Sequence, residues 1–410
     1  MSKTKVWVLA AAAALIGLHA QPVQAATVYR AVGSCTTSPV VPSSRHYSTI
    51  QAAVNASVAS GQAAIILVCP GTYREQVEIG PGPDYAPVIT LKGSAAGAII
   101  APPAGGLVAN YHSSIPLFSG PTDANSNGWI AAQLLVHDTS IVSVSNIAVD
   151  GTGAACASVA GVPSAVAGIL FANVGDESYF TTAGSIKSVS VHDLPGFSVG
   201  GPCGYSSGII SENSHIKITD NTVTNAFYAG IWQVGGISDI LRNTVSYVGV
   251  SGIRVTSGLP NDLSVNKLFQ ITENAIVLEG GTDGATIDSN TITPTISFGI
   301  YAVDTHNSYI VNNSITGGFG SIFLDLQSSG NLVQNNALYS CGFACIMDRG
   351  SWGGNLIHWN DLFGGAQYGI WLNTPADDDE YGTLFAGPFP IEICHSSNPG
   401  FSVGFCSEGN

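Results

Sequence analysis

GIISENSHIKITDN (Gly208–Asn221), GIWQVGGISDILRN (Gly230–Asn243) and GIRVTSGLPNDLSVN (Gly252–Asn266) repeat one pattern. A small residue opens a short run of alternating apolar side chains, and an asparagine follows 13 to 16 positions later across the whole set. The small residues continue as Ala275, Gly299, Ser321, Ala344 and Gly369, and the asparagines as Asn290, Asn313, Asn336 and Asn360, spaced 22 to 24 residues apart. A period held so closely through seven members predicts a solenoid, each period one coil. Coils stacked at about 4.8 Å place equivalent residues above one another, so the asparagines can pass amide hydrogen bonds along the axis. The fold class expected is all-β, a right-handed parallel β-helix carrying an Asn ladder.

Alternation sorts side chains by face. One inward column is read as Ile209, Ile231, Ile253, Ile276, Ile300, Ile322, Cys345 and Ile370, and a second as Ser211, Gln233, Val255, Leu278, Ala302, Leu324, Met347 and Leu372. The opposite phase would bury Arg254 and Glu279, at a high desolvation cost. Ser211 and Gln233 then need internal hydrogen-bond partners. Upstream, Ile141 to Val149, Gly168 to Ala172 and Ser185 to Val191 read as strands of longer coils, with an insertion at Gly175 to Ala183.

The ends have a different character. Lys3 and Lys5 precede an apolar run from Val6 to Leu18, with small residues at Val23-Gln24-Ala25, the arrangement of a secretory signal peptide over residues 1–25. Residues 26–410 are read as a single β-helix domain with a cap at about 35–80 and a Cys-pinned closing segment at about 375–410. In the cap, Ser48 and Gln51 suggest a capping box for a short helix Thr49 to Ala56, followed by a strand Ala64 to Val68 and a turn at Pro70-Gly71. Such a helix would protect the open end of the stack from edge pairing.

Only 10% of residues are charged and Gly numbers 49, a composition suited to short strands and tight turns. The formal charge is −15, or −17 without Lys3 and Lys5, which argues against nucleic acid as a partner. No segment after the leader approaches a membrane span. The expected state is a secreted monomer, extracellular or periplasmic. Eight cysteines in an exported chain imply disulfides, and sequence order suggests Cys35–Cys69, Cys156–Cys203, Cys341–Cys345 and Cys394–Cys406, without proving that connectivity.

STIQAAV and VCPGTYREQVEI within Tyr47 to Ile79, together with the Gly-Ile and Asn-Thr-Val coils after Gly208, resemble exported bacterial right-handed β-helix repeat proteins of the pectin-lyase-like superfamily. The likeness covers roughly residues 35 to 373. It implies the fold and leaves the activity open, since the superfamily spans lyases, hydrolases, esterases, epimerases and noncatalytic proteins. Gly71-Thr72-Tyr73-Arg74-Glu75 resembles the GxYxE segment of pectin methylesterases, whose Gln-Asp motif is absent here. The motifs of polygalacturonases and the Asp-Pro-His-Glu motif of mannuronan epimerases are also missing from suitable positions.

Candidate function therefore rests on the outward face. One column is read as Leu170, Ile210, Trp232, Arg254, Val277, Tyr301, Phe323, Ile346 and Trp371, and its neighbour as Ala172, Glu212, Val234, Thr256, Glu279, Val303, Asp325, Asp348 and Asn373. Aromatic rings beside carboxylates suit sugars, whose apolar faces stack while hydroxyls bond to acids. The candidate substrate-binding residues are Trp232, Arg254, Glu279, Tyr301, Phe323 and Trp371. The candidate catalytic group is Asp325, Asp348 and Arg349, with Asp304 just off the column; carboxylates one coil apart could share a proton. The same carboxylates could bind Ca²⁺ or simply be solvated. No other cofactor is indicated, and the metal question stays open. A lyase needs a base and a cation or Ca²⁺ to neutralise the uronate carboxylate. Arg254 lies four coils from Arg349, about 19 Å along the axis, so one site cannot use both, and a lyase would need metal help or a loop cation such as Lys267. Asp377 to Glu380 reads as a solvated exit loop, and His192, His306 and His358 as structural. The partner expected is polysaccharide, uronate-containing chains included, which the protein binds or cleaves as a hydrolase or lyase. The alternative is a noncatalytic surface scaffold or adhesion protein.

Overall fold

The structure, a computed structural model, describes residues 27–36, 40–80, 88–113, 128–139, 141–154, 164–174, 184–196, 203–259, 261–349, 353–364, 367–373, 379–381, 383–386, 391–395 and 406–407. Three long sheets run the length of the stack and are parallel almost throughout. Each coil contributes one strand to each sheet: Ala229–Val234, for example, belongs to sheet 1, Ile237–Leu241 to sheet 2 and Thr244–Val248 to sheet 3. Sheet 1 pairs residue for residue, Ile231 with Ile253, then Ile276, Ile300, Ile322, Ile346 and Ile370. These isoleucines are fully buried and fill the interior as one apolar column. The chain is a parallel β-helix, as the period implied.

The Asn ladder occupies the bend between sheets 2 and 3. In each step an asparagine Oδ1 accepts both the backbone N–H and the Nδ2 of the asparagine one coil earlier, as Asn243 does for Asn221 at 3.0 Å each. The Nδ2 group also donates to a backbone carbonyl, such as Ile218 O for Asn243. Every member from Asn221 to Asn360 is buried. A second, shorter ladder that the period did not reveal lies at the bend between sheets 1 and 2. There Ser308 N–H donates to Asn331 Oδ1, and Asn331 donates through both its nitrogens to Asn355 Oδ1. Gln233 and Ser211 find their internal partners at the same bend, in Asn261 Oδ1 at 2.8 Å and Ser238 Oγ at 3.1 Å.

The small residue that opens each sheet 1 strand is explained by a corner. A Cβ on Gly230 would lie 2.3 Å from Val245 Cγ1 and 2.7 Å from Gly252 O, so the corner is tight enough to admit only glycine there and small side chains such as Ala275 and Ser321 at its equivalents. The capping helix spans Ile50–Ser60, longer than expected, and its cap is Thr49, whose side chain accepts from Ala52 N. Ser48 and Gln51 form no capping box: Gln51 instead bonds Asn55 and the Glu78 backbone. Glu75 supplies the remaining acceptors, its two oxygens taking Ile50 N–H at 2.8 Å and Gln51 N–H at 2.9 Å. A carboxylate at the helix N-terminus complements the positive end of the dipole. The GTYRE segment is thus architectural here, with Tyr73 OH donating toward Val32 O and Cys69 O.

Upstream, the single strand expected over Ile141 to Val149 is two, Val142–Ser145 and Ala148–Asp150, turned at Asn146 with φ 53°. Strand Ser164–Val174 contains the expected Gly168 to Ala172 run, and Ser185 to Val191 is likewise divided by a turn. Past Pro375 the stack does not stop where its sequence signature fades. Asp379–Tyr381, Leu384–Ala386 and Ile391–His395 add one strand to each sheet, so part of the acidic run is strand and not loop. Cys406–Ser407 then pairs antiparallel with Ile393 and Cys394. Disulfides join Cys35 to Cys69 and Cys341 to Cys345. The expected Cys156–Cys203 and Cys394–Cys406 bonds, the signal peptide and the Gly175 to Ala183 insertion lie outside the residues or side chains described. Among the described residues no helix is long and apolar enough to cross a membrane.

Candidate functional site on the outward face of sheet 1

The outward face is far less exposed than alternation alone suggested. In its first half Leu170, Ala172, Ile210, Glu212 and Val234 are fully buried, and Trp232 is 2% exposed. Tyr111, Tyr205 and Tyr228 pack against this half. Trp232 is therefore a packing residue rather than an open sugar platform, its Nε1 donating to Thr256 Oγ1 at 3.1 Å. Phe323, 4% exposed, is likewise enclosed, against the Tyr301 and Phe298 rings.

Within the second half the more exposed arginine of two ion pairs is Arg349. Asp325, 1% exposed, accepts Arg349 Nε at 3.1 Å and Nη2 at 2.9 Å, together with Tyr301 OH at 3.0 Å. The guanidinium carbon of Arg349 sits 5.1 Å from the Phe323 ring centre. A bidentate pair on a buried carboxylate fixes the plane of the guanidinium. The Arg349 side chain keeps 37% exposure, so a rigid cation is presented at the surface. Tyr301 and Trp371, both half-buried, flank it on the same face. Burial and the neighbouring Asp325 charge push the Tyr301 phenol up to about 12, which leaves it a hydrogen-bond donor at neutral pH.

The stacked pair of Asp325 and Asp348 does not form. Asp325 lies opposite Arg349, while Asp348 lies between Leu324 and Leu372 in the inward column. Met347, not Ile346, continues the outward column from Phe323 to Trp371, and Ile346, not Cys345, the inward one. The turn before this strand holds one more residue than the repeat allowed for, closed by Cys341–Cys345, and that shift swaps the faces. The expected facing took Ala344 as the small residue of this coil and carried over the phase set by Arg254 and Glu279, which put Asp348 outward. The cost of burying this carboxylate is met inside, where Asn355 Nδ2, at the end of the second ladder, donates to Asp348 Oδ2 at 2.8 Å. Asp304 is also drawn away: it sits in the following turn at φ 50° and pairs with His306 Nε2 at 3.3 Å.

Two coils earlier than Tyr301 a second ion pair stands alone. Arg254 and Glu279 meet bidentately at 2.7 and 2.5 Å, Thr256 Oγ1 donates to Glu279 Oε1, and Arg254 lies over the Tyr228 ring. At the first coils sits a cluster that the sequence reading passed over. His137 contacts Glu78 Oε1 through Nε2 at 3.1 Å and Asp138 Oδ2 through Nδ1 at 2.9 Å, while Asn173 donates to Asp138 and Tyr111 OH to Glu212 Oε1. Burial beside Glu212 raises the Tyr111 phenol well above its ordinary value. A groove of about 710 Å³ opens between the capping helix and this corner, with Gln51, Gln76, Glu78 and Asn110 in its walls. The available signal was His137-Asp138 near the end of strand Trp129–Thr139, His137 in register with Ala172 and Glu212, but the irregular early coils hid that register.

The A-module of mannuronan C-5 epimerase AlgE6 from Azotobacter vinelandii superposes on this chain with a TM-score of 0.52 at 14% identity, covering 83% of this chain and 94% of the module. The chain shares the right-handed parallel β-helix fold of that module. The likeness is one of fold. A DFA-IIIase from Arthrobacter chlorophenolicus A6, solved without its lid, matches this β-helix at 12% identity and a TM-score of 0.47, covering 88% and 98% of the two chains. The model of the family described as periplasmic copper-binding protein (NosD) matches residues 187–372, somewhat under half of the chain. No curated protein matches it in sequence.

Proposed function

We propose that this is an exported polysaccharide-handling β-helix that recognises acidic sugar chains on the second half of its outward face, with Arg349 as the carboxylate-binding group and Tyr301 and Trp371 as ring contacts. The observation that carries the reading is the fixed Arg349 guanidinium, anchored by Asp325 and exposed between two half-buried aromatic residues. Such a cation pays little ordering entropy when it meets a uronate. Arg254 and Glu279, four and three coils away, would contact a longer chain. Export is supported by the leader-like N-terminus, the two disulfides and the periplasmic description of the matching family model.

Binding is favoured over carboxylate-pair catalysis because Asp325 is engaged by Arg349 and Tyr301 while Asp348 faces inward. The test is a panel of acidic and neutral polysaccharides, reading binding, new reducing ends and unsaturated-product absorbance. Arg349→Ala should lose acidic ligands selectively, and Trp371→Ala should weaken acidic and neutral ligands alike, about tenfold or more. Equal retention of an acidic ligand by wild type and both variants would remove this face from consideration. Turnover that Asp325→Asn abolishes without loss of binding would restore a catalytic role to Asp325.

A further inference from the structure

On a different face, sheet 3 brings together three groups whose donor atoms converge. Asp150 ends strand Ala148–Asp150 and pairs in direct register with His192, which ends strand Ser190–His192 one coil later. Asp193 follows at φ 57°, turning its carboxylate back toward its own neighbour. His192 Nδ1 lies 2.9 Å from Asp193 Oδ2 and 3.7 Å from Asp150 Oδ1, and the three donor atoms all fall within 4.8 Å of one another. Among the described residues this is the one such group of three.

We infer that Asp150, His192 and Asp193 form a binding site for a divalent transition-metal cation. One ring nitrogen faces two carboxylate oxygens, and a single proton on that nitrogen can serve only one of them well. A cation bound at about 2.1 Å from each atom serves both, since ligand separations of 2.9 and 3.7 Å then subtend about 90° and 120° at the metal. Both carboxylates are held in place: Asn225 Nδ2 donates to Asp193 Oδ1, the oxygen facing away from His192, at 2.6 Å, and Thr152 N–H donates to Asp150 Oδ1 at 2.8 Å, leaving that oxygen a lone pair toward His192. Outer hydrogen bonds of this kind orient metal ligands. His192 and Asp150 each keep 28% side-chain exposure, so solvent reaches the site and water can complete the coordination. A groove of about 430 Å³, lined by Leu194, Asn225, Phe227 and Tyr247, opens beside it. One nitrogen with two carboxylates suits Zn²⁺ or Cu²⁺, whereas Ca²⁺ calls for six to eight oxygens.

The inference stands independently of the polysaccharide reading and is tested on the full chain in metal-free buffer. Titration calorimetry with Zn²⁺ and with Cu²⁺ should give one more equivalent for wild type than for His192→Ala or Asp150→Asn. His137→Ala should retain that equivalent. Copper(II) electron paramagnetic resonance should show nitrogen hyperfine structure that His192→Ala loses, and Asn225→Ala should weaken the site about tenfold. Circular dichroism confirms that each variant is folded. Absence of binding, equal stoichiometry for wild type and His192→Ala, or Ca²⁺ bound as tightly as Zn²⁺ would each overturn the assignment.

Discussion

Replacing Asn290 with alanine tests the ladder where it is most fully formed. Asn290 Oδ1 accepts Asn266 N–H at 2.9 Å and Asn266 Nδ2 at 3.0 Å, and its Nδ2 donates to Leu263 O at 2.8 Å and Asn313 Oδ1 at 2.9 Å. Alanine removes all four bonds. Asn313 Oδ1 keeps the Asn290 backbone N–H, and Asn266 Nδ2 keeps Ile240 O, so those two groups are only partly deprived. The Asn266 backbone N–H, in a fully buried bend, loses its acceptor outright. Such an orphan costs roughly 1–3 kcal/mol, and with the weaker losses the total comes to about 3–5 kcal/mol. Asn290→Asp should cost more, because a carboxylate cannot donate to Leu263 O and would face Asn313 Oδ1 as a second acceptor. Asn221→Ala should cost less, since Asn221 Oδ1 accepts only from Val189 N in the coil before it. Denaturant unfolding gives the ordering, and hydrogen exchange at the Asn266 amide shows whether the loss is local, as solenoid stability often is. An Asn290→Ala variant within about 0.5 kcal/mol of wild type would refute the reasoning.

Glu75→Ala should destabilise the cap by about 1–2 kcal/mol and speed exchange at the Ile50 and Gln51 amides, while Glu75→Gln should lose less. Unchanged exchange in both variants would return the helix start to Thr49 alone. Tyr301 sets a pH dependence: its folded pKa is raised to about 12, so its contribution is complete below the unfolded value near 10 and is lost as pH climbs between the two. Wild type should therefore lose stability across that window relative to Tyr301→Phe. Parallel curves would show that the Asp325 contact carries no such coupling.

The coils after Gly208 were legible because one residue type per coil is forced by geometry. Only asparagine supplies paired donors and acceptors at the bend between sheets 2 and 3, and only a small side chain clears Val245 or its equivalents at the next corner. Facing failed at Ala344-Cys345-Ile346-Met347, where both phases are apolar and alternation has nothing to discriminate. With Ala344 taken as the small residue of the coil, Asp348 fell outward. The donor that makes its inward position tolerable, Asn355, is seven residues downstream on a ladder whose members, Ser308 and Asn331 among them, do not share one residue type. Exposure failed for a related reason: alternation reports which way Trp232 points from its own sheet, and the Tyr228 ring that packs on it, 5.0 Å between centres, arrives from the preceding turn. The His137 cluster was missed since its coils are too irregular to carry a period.

The two halves of sheet 1 thus do different work, and the division follows from what stands in the outward columns. Toward the N-terminus the outward side chains are alanine, leucine, isoleucine and valine, with Trp232 among them, and they close over into a second apolar cluster under Tyr111 and Tyr228. That thickened wall stabilises the early coils, whose inner strands are joined by long connections. From Arg254 onward the column changes to charge and half-buried aromatic residues, and each charge there is already matched by a partner one coil away, Arg254 by Glu279 and Arg349 by Asp325. Pairing along the stack lets a cation stay at the surface in a fixed orientation while its counter-charge is buried beneath it. An anionic ligand laid across the coils would then meet arginines whose positions the solenoid itself has set, about 19 Å apart along the axis. Arg349 is the better placed of the two, because Asp325 below it is almost fully enclosed whereas Glu279 still shares solvent with Arg254.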